Sequence, residues 1–455
     1  MNGNIIDFET EKNIDGDIID FERPFEAKKP VISSEVIQLK KGIWIYFFLI
    51  IFEGALRKWV LPGLATPLLL IRDPVALWLL IKSIRSDLLP ANIYLKAMVV
   101  TCIIGIFTTL FLGHGNLSVT LFGARILILH FPLIFVIGNI FDRQDVENMG
   151  KAMVFITIPM AILTALQFYS SQGAWVNRGI GGDANGAGFS GAMGYFRPSG
   201  TFSFTNGNSL FFSLAASFIL FFWLDPKKIN KIILIAATLG LLSAIPLSIS
   251  RALLFSCIVS AVFAIIGMFR NPKFLGRLAL IGIVGFVSVA VLSQTKFFQT
   301  SMEAFTDRFN TASEAEGGTS GVISDRYIGG MVNSILGSNN VPFFGYGMGM
   351  GTNVGAMLLS GKTTFLIAEG EWGRLIGESG ALLGIIIIFI RLALTAKMCV
   401  LSIKKLNSGN LLPWMLLSFG ILNIPQGQWA QPTGLGFSVL IGGLIIASFR
   451  NRTPE

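Results

Sequence analysis

Arg125, Arg251, Glu369 and Arg374 stand at or near the ends of long apolar runs. An ionised side chain at mid-membrane costs about 2.5–3.5 kcal/mol on insertion scales, so it usually faces a protein interior or a polar cavity. Arginines converging there suit an anion that arrives from the membrane. A lipid pyrophosphate has the charge and the oxygens that guanidinium forks bind. A carboxylate beside them could take the proton of an attacking hydroxyl.

Each residue also has a plainer reading. Arg251, in Ser248-Ile249-Ser250-Arg251-Ala252, could serve a structural ion pair or snorkel to the interface. Arg326 follows Asp325, and on spacing alone it reads as a solvated loop arginine in a pair worth about 0–1 kcal/mol. Glu369, Glu371, Arg374 and Glu378 precede an apolar run, and positions 371, 374 and 378 share one helical face. Acidic residues at a helix start are favoured by its dipole, so capping competes with a general-base role for Glu369 or Glu371. Arg72-Asp73 reads as a buried pair of structural use. Glu53 and Arg57-Lys58 are open to either reading. His130 reads as a packed, hydrogen-bonded histidine. Gln426, Gln428, Trp429 and Gln431 form a polar break that could meet sugars, with Trp429 alternatively an interface anchor.

The elements that must position these residues are membrane helices. The chain has 455 residues, 53% hydrophobic and only 13% charged, against about 25% charged in soluble proteins. Runs of bilayer-crossing length recur, which makes this an all-α, polytopic membrane protein. About twelve spans are expected, near 43–61, 66–84, 96–113, 118–140, 152–169, 208–224, 232–249, 251–269, 278–293, 376–397, 411–425 and 434–449. Residues 1–40 read as a polar cytosolic tail, disordered up to about Val36 and without a cleavable signal peptide, and 41–455 as one membrane domain.

The net charge of +9 does not indicate nucleic acid, because the basic residues sit in short loops on one side of the spans. Lys40-Lys41, Lys82, Arg143, Lys228, Arg270, Lys404-Lys405 and Arg450 would mark the cytoplasmic side, with both termini inside. Two long loops, 170–207 and 294–375, are then external. The second is expected to hold an amphipathic surface helix over 324–336, followed by a permissive turn at Gly345, Gly347, Gly349 and Gly351. Three scattered cysteines and two histidines give neither a disulfide framework nor a metal site. No phosphate-binding loop or dinucleotide fingerprint occurs, so no cofactor is expected.

Ser250-Arg251-Ala252, Asp325-Arg326-Tyr327, Pro342-Phe343-Phe344-Gly345-Tyr346-Gly347-Met348-Gly349 and Glu378-Ser379-Gly380-Ala381-Leu382-Leu383-Gly384 occur in that order. Together they resemble the O-antigen ligase and polymerase superfamily, over about 205–400. The resemblance implies a metal-independent glycosyltransferase in a bacterial cytoplasmic (inner) membrane. Its donor would be an undecaprenyl-pyrophosphate-linked glycan and its acceptor a hydroxyl of a second glycan, a lipid or a protein, for surface polysaccharide such as O-antigen or exopolysaccharide. A flippase and a chain-length regulator are implied partners. Arg251 and Arg326 match the arginines that engage the pyrophosphate. Ligases of this group carry a histidine nine residues before the glutamate that Glu378 matches; here Glu369 stands there, followed by glycine instead of asparagine. That departure favours a polymerase over a ligase. A lipid-linked glycan flippase is the alternative of a different class, disfavoured by the absence of an inverted repeat and by the one-sided placement of charge.

Overall fold

The structure is a computed structural model that describes residues 34–270, 275–315, 341–361, 366–368 and 370–450. Arg326, Glu369 and the helix expected over 324–336 lie outside the described residues.

The described residues form a helical bundle without β-strands; a single isolated bridge joins Ser190 and Phe196. Seven helices or helical segments among them are long and apolar enough to cross a membrane. These are Pro62–Arg85, Ile93–Leu112, Leu117–Ile140, Arg143–Tyr169, Thr205–Leu224, Arg251–Arg270 and Glu371–Asn407. Helices also occupy the other apolar runs. There they are short, as with Lys231–Leu247, Leu412–Gln426 and Pro432–Ser448, or charged, as with Ser34–Ala55, which carries Lys40, Lys41 and Glu53.

In chain order the helices are α1 (Ser34–Ala55), α2 (Ala65–Leu68), α3 (Arg72–Arg85), α4 (Ile93–Leu112), α5 (Leu117–Arg125), α6 (Leu133–Ile140), α7 (Arg143–Tyr169) and α8 (Thr205–Leu224). There follow α9 (Lys231–Leu247), α10 (Arg251–Arg270), α11 (Leu275–Ser293), α12 (Lys296–Ala315), α13 (Asn353–Ser360), α14 (Glu371–Asn407), α15 (Leu412–Gln426) and α16 (Pro432–Ser448). Side-chain caps start several of them. Asn92 accepts from Leu95 N, Asn116 from Val119 N, and Asp142 and Asp145 form a reciprocal capping box. The core runs along α6, α8, α15 and α16, where α16 is buried along nearly its whole length. Ser217, Ser260 and Ser418 join three helices by hydroxyl contacts of 2.9–3.4 Å, the small polar contacts that let helices approach closely in lipid.

The bundle has two unlike poles. At one, Lys40 meets Asp145 at 2.5 Å, Lys228 meets Glu147 at 2.5 Å, Arg270 donates to Asn407, and Arg450 donates to Asn139 O. These contacts gather basic residues that the sequence places on one side. At the other pole lie the ends of α1, α4, α7, α9 and α15, the starts of α5, α8, α10, α14 and α16, and the segments that join them. Residues 294–315, expected as loop, instead contain α12. Its face of Phe298, Ser301, Ala304 and Phe305 is buried while Glu303 and Asp307 are exposed. Ala304 packs with Phe168, Leu247 and Ile249, and Arg308 donates to Gly191 O at 3.1 Å. Helix α1 begins at Ser34, two residues before Val36.

Three local breaks shape the second pole. Leu56–Val60 and Ile126–His130 are π-helical turns, and Gly380, with φ 74° and ψ 172°, interrupts α14. A Cβ at Gly380 would strike the carbonyl of Phe343, and the backbone there is left-handed. Gly380→Ala should therefore destabilise the protein by more than about 1–2 kcal/mol, whereas Gly285→Ala, with nothing near its Cβ position, should cost little. Thermal unfolding of the two variants in detergent checks this.

Candidate functional site

The second pole holds two buried ionic networks. The first is assembled by the two π-turns, which shift the phase of the helix by one residue and re-aim the side chains they carry. Glu53 at the end of α1 lies 3.5 Å from Arg57 Nη1 and 3.1 Å from Arg72 Nε. Arg57 also donates to Ser203 Oγ at 2.9 Å and Ala65 O at 2.7 Å. Lys58, 1% exposed, donates to Ser199 Oγ at 3.0 Å and Gly200 O at 2.7 Å, with no carboxylate among its described partners. Gln167 holds the same stretch by accepting from Gly200 N at 2.7 Å, and Thr201 Oγ1 donates to Ile51 O at 2.6 Å. The segment 199–203 is thus tied to α1 and α7.

Asp73 completes this network. Arg125 Nη1 reaches its two oxygens at 2.7 and 2.6 Å, and His130 Nε2 lies 3.0 Å from Oδ1. His130 Nδ1 stands 3.1 Å from Tyr46 Oη. The partners assign the tautomer: Nε2–H donates to the carboxylate, and Nδ1 accepts from the tyrosine hydroxyl. The expected Arg72–Asp73 pair does not form. Adjacent helical residues point apart, so Arg72 turns to Glu53 and Asp73 to Arg125.

The second network lies in α14. Arg374 donates to Glu371 at 2.8 and 3.1 Å and to Glu378 at 2.5 Å. Arg391, further along the helix, donates to the same Glu371 at 2.7 Å and to the carbonyls of Ile424 and Gly427 at 2.8 and 3.1 Å. Trp429 N gives Glu371 a fourth bond at 3.0 Å, and the Trp429 ring lies 4.0 Å from the Arg391 guanidinium carbon. Glu378 accepts from Gly351 N at 2.8 Å. The glycine turn docks here as well. Tyr346 N and Gly347 N donate to the carbonyls of Gly377 and Glu378, and Met348 N donates to Thr109 Oγ1 on α4. Gly345, Gly347 and Gly349 all have left-handed backbone, with φ 74°, 118° and 85°. The turn expected there is present, wedged between α4, α5 and α14.

These contacts sort the residues named from sequence. Glu371 and Arg374 are brought together, but as members of a closed structural network. A carboxylate offers about four acceptor positions, and Glu371 receives four donors, so no lone pair remains for a substrate hydroxyl. Arg374 bonds to both neighbouring carboxylates and has no exposed face. Trp429 is fully buried and is neither a sugar platform nor an interface anchor. Arg125 is held by Asp73, yet its side chain keeps 11% exposure. Arg251 opens α10, partly buried, directly after Ser250 and Ile249, whose φ of 46° is unusual for a β-branched residue. Ser250 Oγ, which accepts from Ser209, fixes this corner at 2.8 Å. Such strain persists only where the surroundings enforce it, and it clusters at functional sites. Arg391 escaped the sequence reading although the signal was present: it is the sole charge within Ile385–Ala393. Tyr46 and Gln167 were missed too, because nothing local marks them.

Comparison of the chain with protein-family models, with curated proteins and with solved structures returns no match.

Replacing Arg391 with methionine would leave Glu371 buried with one arginine fewer and two carbonyls without their donor. Breaking a buried ion pair costs about 3–5 kcal/mol. Arg391→Met should lower thermal stability by that order, and adding Glu371→Gln should restore part of it. A thermal series on the wild type, the single variant and the double variant checks both statements.

Proposed function

We propose that the protein is a metal-independent glycan polymerase that transfers an undecaprenyl-pyrophosphate-linked oligosaccharide to an acceptor hydroxyl. The observation that carries this reading is an excess of buried positive charge at one pole. Among the described residues, Arg57, Lys58, Arg72 and Arg125 face only the carboxylates of Glu53 and Asp73 in the first network. Arg72 Nη1, packed where a Cβ on Gly436 would fall, has no hydrogen-bond partner among the described residues. Buried cations beyond those that carboxylates balance favour an anionic ligand. A pyrophosphate on a lipid carrier supplies that charge and reaches the pole from within the bilayer.

In this reading Arg251 and Arg326 bind the pyrophosphate and stabilise the negative charge that grows on the leaving group. Arg125 contributes from the first network. Glu369 takes the proton as the acceptor hydroxyl attacks the anomeric carbon, which inverts that carbon. Glu371 and Arg374 brace the start of α14 behind it. About twelve spans cross a bacterial inner membrane, both termini are cytoplasmic, and the pole that holds both networks faces outward. The clustering of basic residues at the opposite pole supports that orientation.

The test is an assay in liposomes with lipid-linked repeat units. Chain growth supports the polymerase; leaflet exchange without growth would identify a flippase instead. Arg251→Ala should abolish growth, and Arg251→Lys should be poor, because a point charge does not reproduce a planar fork on phosphate oxygens. Glu369→Gln should slow growth by about 10²–10⁴ while sparing donor binding. If Glu369→Gln is fully active, the base lies elsewhere.

A further inference from the structure

His114 ties the corner between α4 and α5 to the glycine turn, and the proposed chemistry does not use it. Its Nδ1 accepts from Asn116 N at 3.0 Å, and its Nε2 stands 3.1 Å from Met348 O. A backbone N–H only donates and a carbonyl only accepts. These partners therefore allow one state, a neutral ring with its proton on Nε2. Both partners are themselves held in place. Asn116 caps α5, its Oδ1 accepting from Val119 N at 3.1 Å. Met348 N donates to Thr109 Oγ1 at 2.9 Å, and His114 N donates to Tyr346 O at 3.1 Å. A Cβ on Gly347 would fall 2.6 Å from His114 Cδ2, so the backbone of the turn lies directly against the ring.

A proton on Nδ1 breaks this arrangement. It removes the acceptor of Asn116 N and sets two N–H groups against each other. Turning the ring away relieves that clash but gives up the Met348 bond. A corner held by two ring bonds then keeps at most one. The closed corner carries no proton on Nδ1 and the released corner does, so the closed form prevails at high pH and is lost as pH falls. His114 is half-buried at the second pole, within reach of water, and imidazole is the side chain that charges between about pH 5 and 8. The elements packed against the ring bring little charge of their own. Residues 342–360 carry only the Tyr346 phenol as an ionisable group. Lys96 on α4 and Arg125 on α5 stand more than two helical turns away along their helices. Glu378, with Arg374, meets the far end of the turn at Gly351 N.

We infer that His114 is an acid-sensitive latch, which releases the α4–α5 corner from residues 345–351 when it takes up a proton. The turn grips α14 through the carbonyls of Gly377 and Glu378 and through Gly351 N. Release therefore loosens the first turns of the helix whose start follows Glu369 in the sequence, and it slows transfer. The inference rests on the proposed function for the reaction that is slowed; the release itself does not depend on it.

The test is hydrogen exchange on the full chain in nanodiscs, at about pH 7.5 and about pH 5.5, either side of the usual histidine range. Rates are corrected for the intrinsic effect of pH on exchange. At the lower pH, protection over 115–119 and 346–349 should fall by about five- to tenfold, the scale of one lost hydrogen bond. Protection over the buried α16 should not change. In His114→Asn the side-chain oxygen accepts from Asn116 N as in an Asx turn and does not titrate, so protection over 115–119 should be the same at both pH values. His114→Gln, which keeps a donor for Met348 O and does not titrate either, should be equally insensitive, so the result does not hang on one variant. Chain growth in liposomes should slow in the wild type over the same interval and stay level in His114→Asn. Equal protection of the wild type at both pH values would overturn the latch without recourse to any variant. So would a loss that persists in both His114 variants. The chain has two histidines, and a loss abolished only by His130→Gln would move the switch to His130 and overturn the proposal as well. Release with growth that ignores pH would overturn the regulatory claim. Release with no growth at any pH would sink the polymerase reading and leave the latch standing.

Discussion

Apolar surroundings tolerate charge only where each ion finds partners inside the protein, and this rule organises the whole second pole. Water cannot make good a missing bond there, so side chains, backbone carbonyls and helix distortions must do so. The two π-turns and the Gly380 break are the distortions that achieve it. The first turn brings Arg57 and Lys58 onto the 199–203 segment. The second presents His130 between Tyr46 and Asp73. The break at Gly380 lets the backbone of residues 345–347 approach the carbonyls of Gly377 and Glu378. Regular helices would leave each of these groups buried and unmatched.

The two networks solve the same problem with different charge balances. Glu371, Glu378, Arg374 and Arg391 balance one another, and carbonyls take the spare guanidinium donors. Such a closed set gains nothing by admitting a ligand. The Glu53 and Asp73 network carries more cations than carboxylates among the described residues, and Arg125 and Asp73 keep 11% and 19% side-chain exposure. The networks are neighbours, because Phe131, next to His130, meets Trp429, whose amide holds Glu371, with ring centroids 6.2 Å apart. A balanced unit thus stands directly beside an unbalanced one.

The helical class and most helix positions were legible because the hydropathy signal is long-range and redundant. A run of about 18 apolar residues reads as a span even when its ends are misplaced. Ionic pairing was not legible. Arg72 and Asp73 are adjacent, which suggested a pair, but a helix turns neighbours about 100° apart and sends each to a different partner. Glu371 looked like a possible base because sequence shows its acidic neighbours and Arg374 but not Arg391, far along the same helix, or the Trp429 amide. Helix α12 was missed for a different reason. Its apolar face is narrow and its overall composition polar, so it resembles loop until Phe298, Ser301, Ala304 and Phe305 are seen to share one buried side. The glycine turn was legible because glycines at every second position mark backbone that must bend through the left-handed region. Its docking surface on α4 and α14 was not, since those contacts join residues far apart in the chain.

The segments outside the helices are not independent of the charges beneath them. Residues 199–203 are bound by Arg57, Lys58 and Gln167, and residues 345–351 by Glu378, Thr109 and His114. Helix α12 lies on residues continuous with the first of these through Gly191 and Arg308. Any anion that draws Arg57 or Lys58 toward itself must also load Ser199, Gly200 and Ser203. That stretch leads directly into α8, where Ser209 holds the Ser250 corner and so fixes the start of α10 at Arg251. Charge in the first network and the placement of Arg251 are therefore linked through one short run of hydrogen-bonded backbone. The positive φ of Ile249, 46°, falls in that same run, immediately before the Ser250 hydroxyl that Ser209 holds and the first residue of α10.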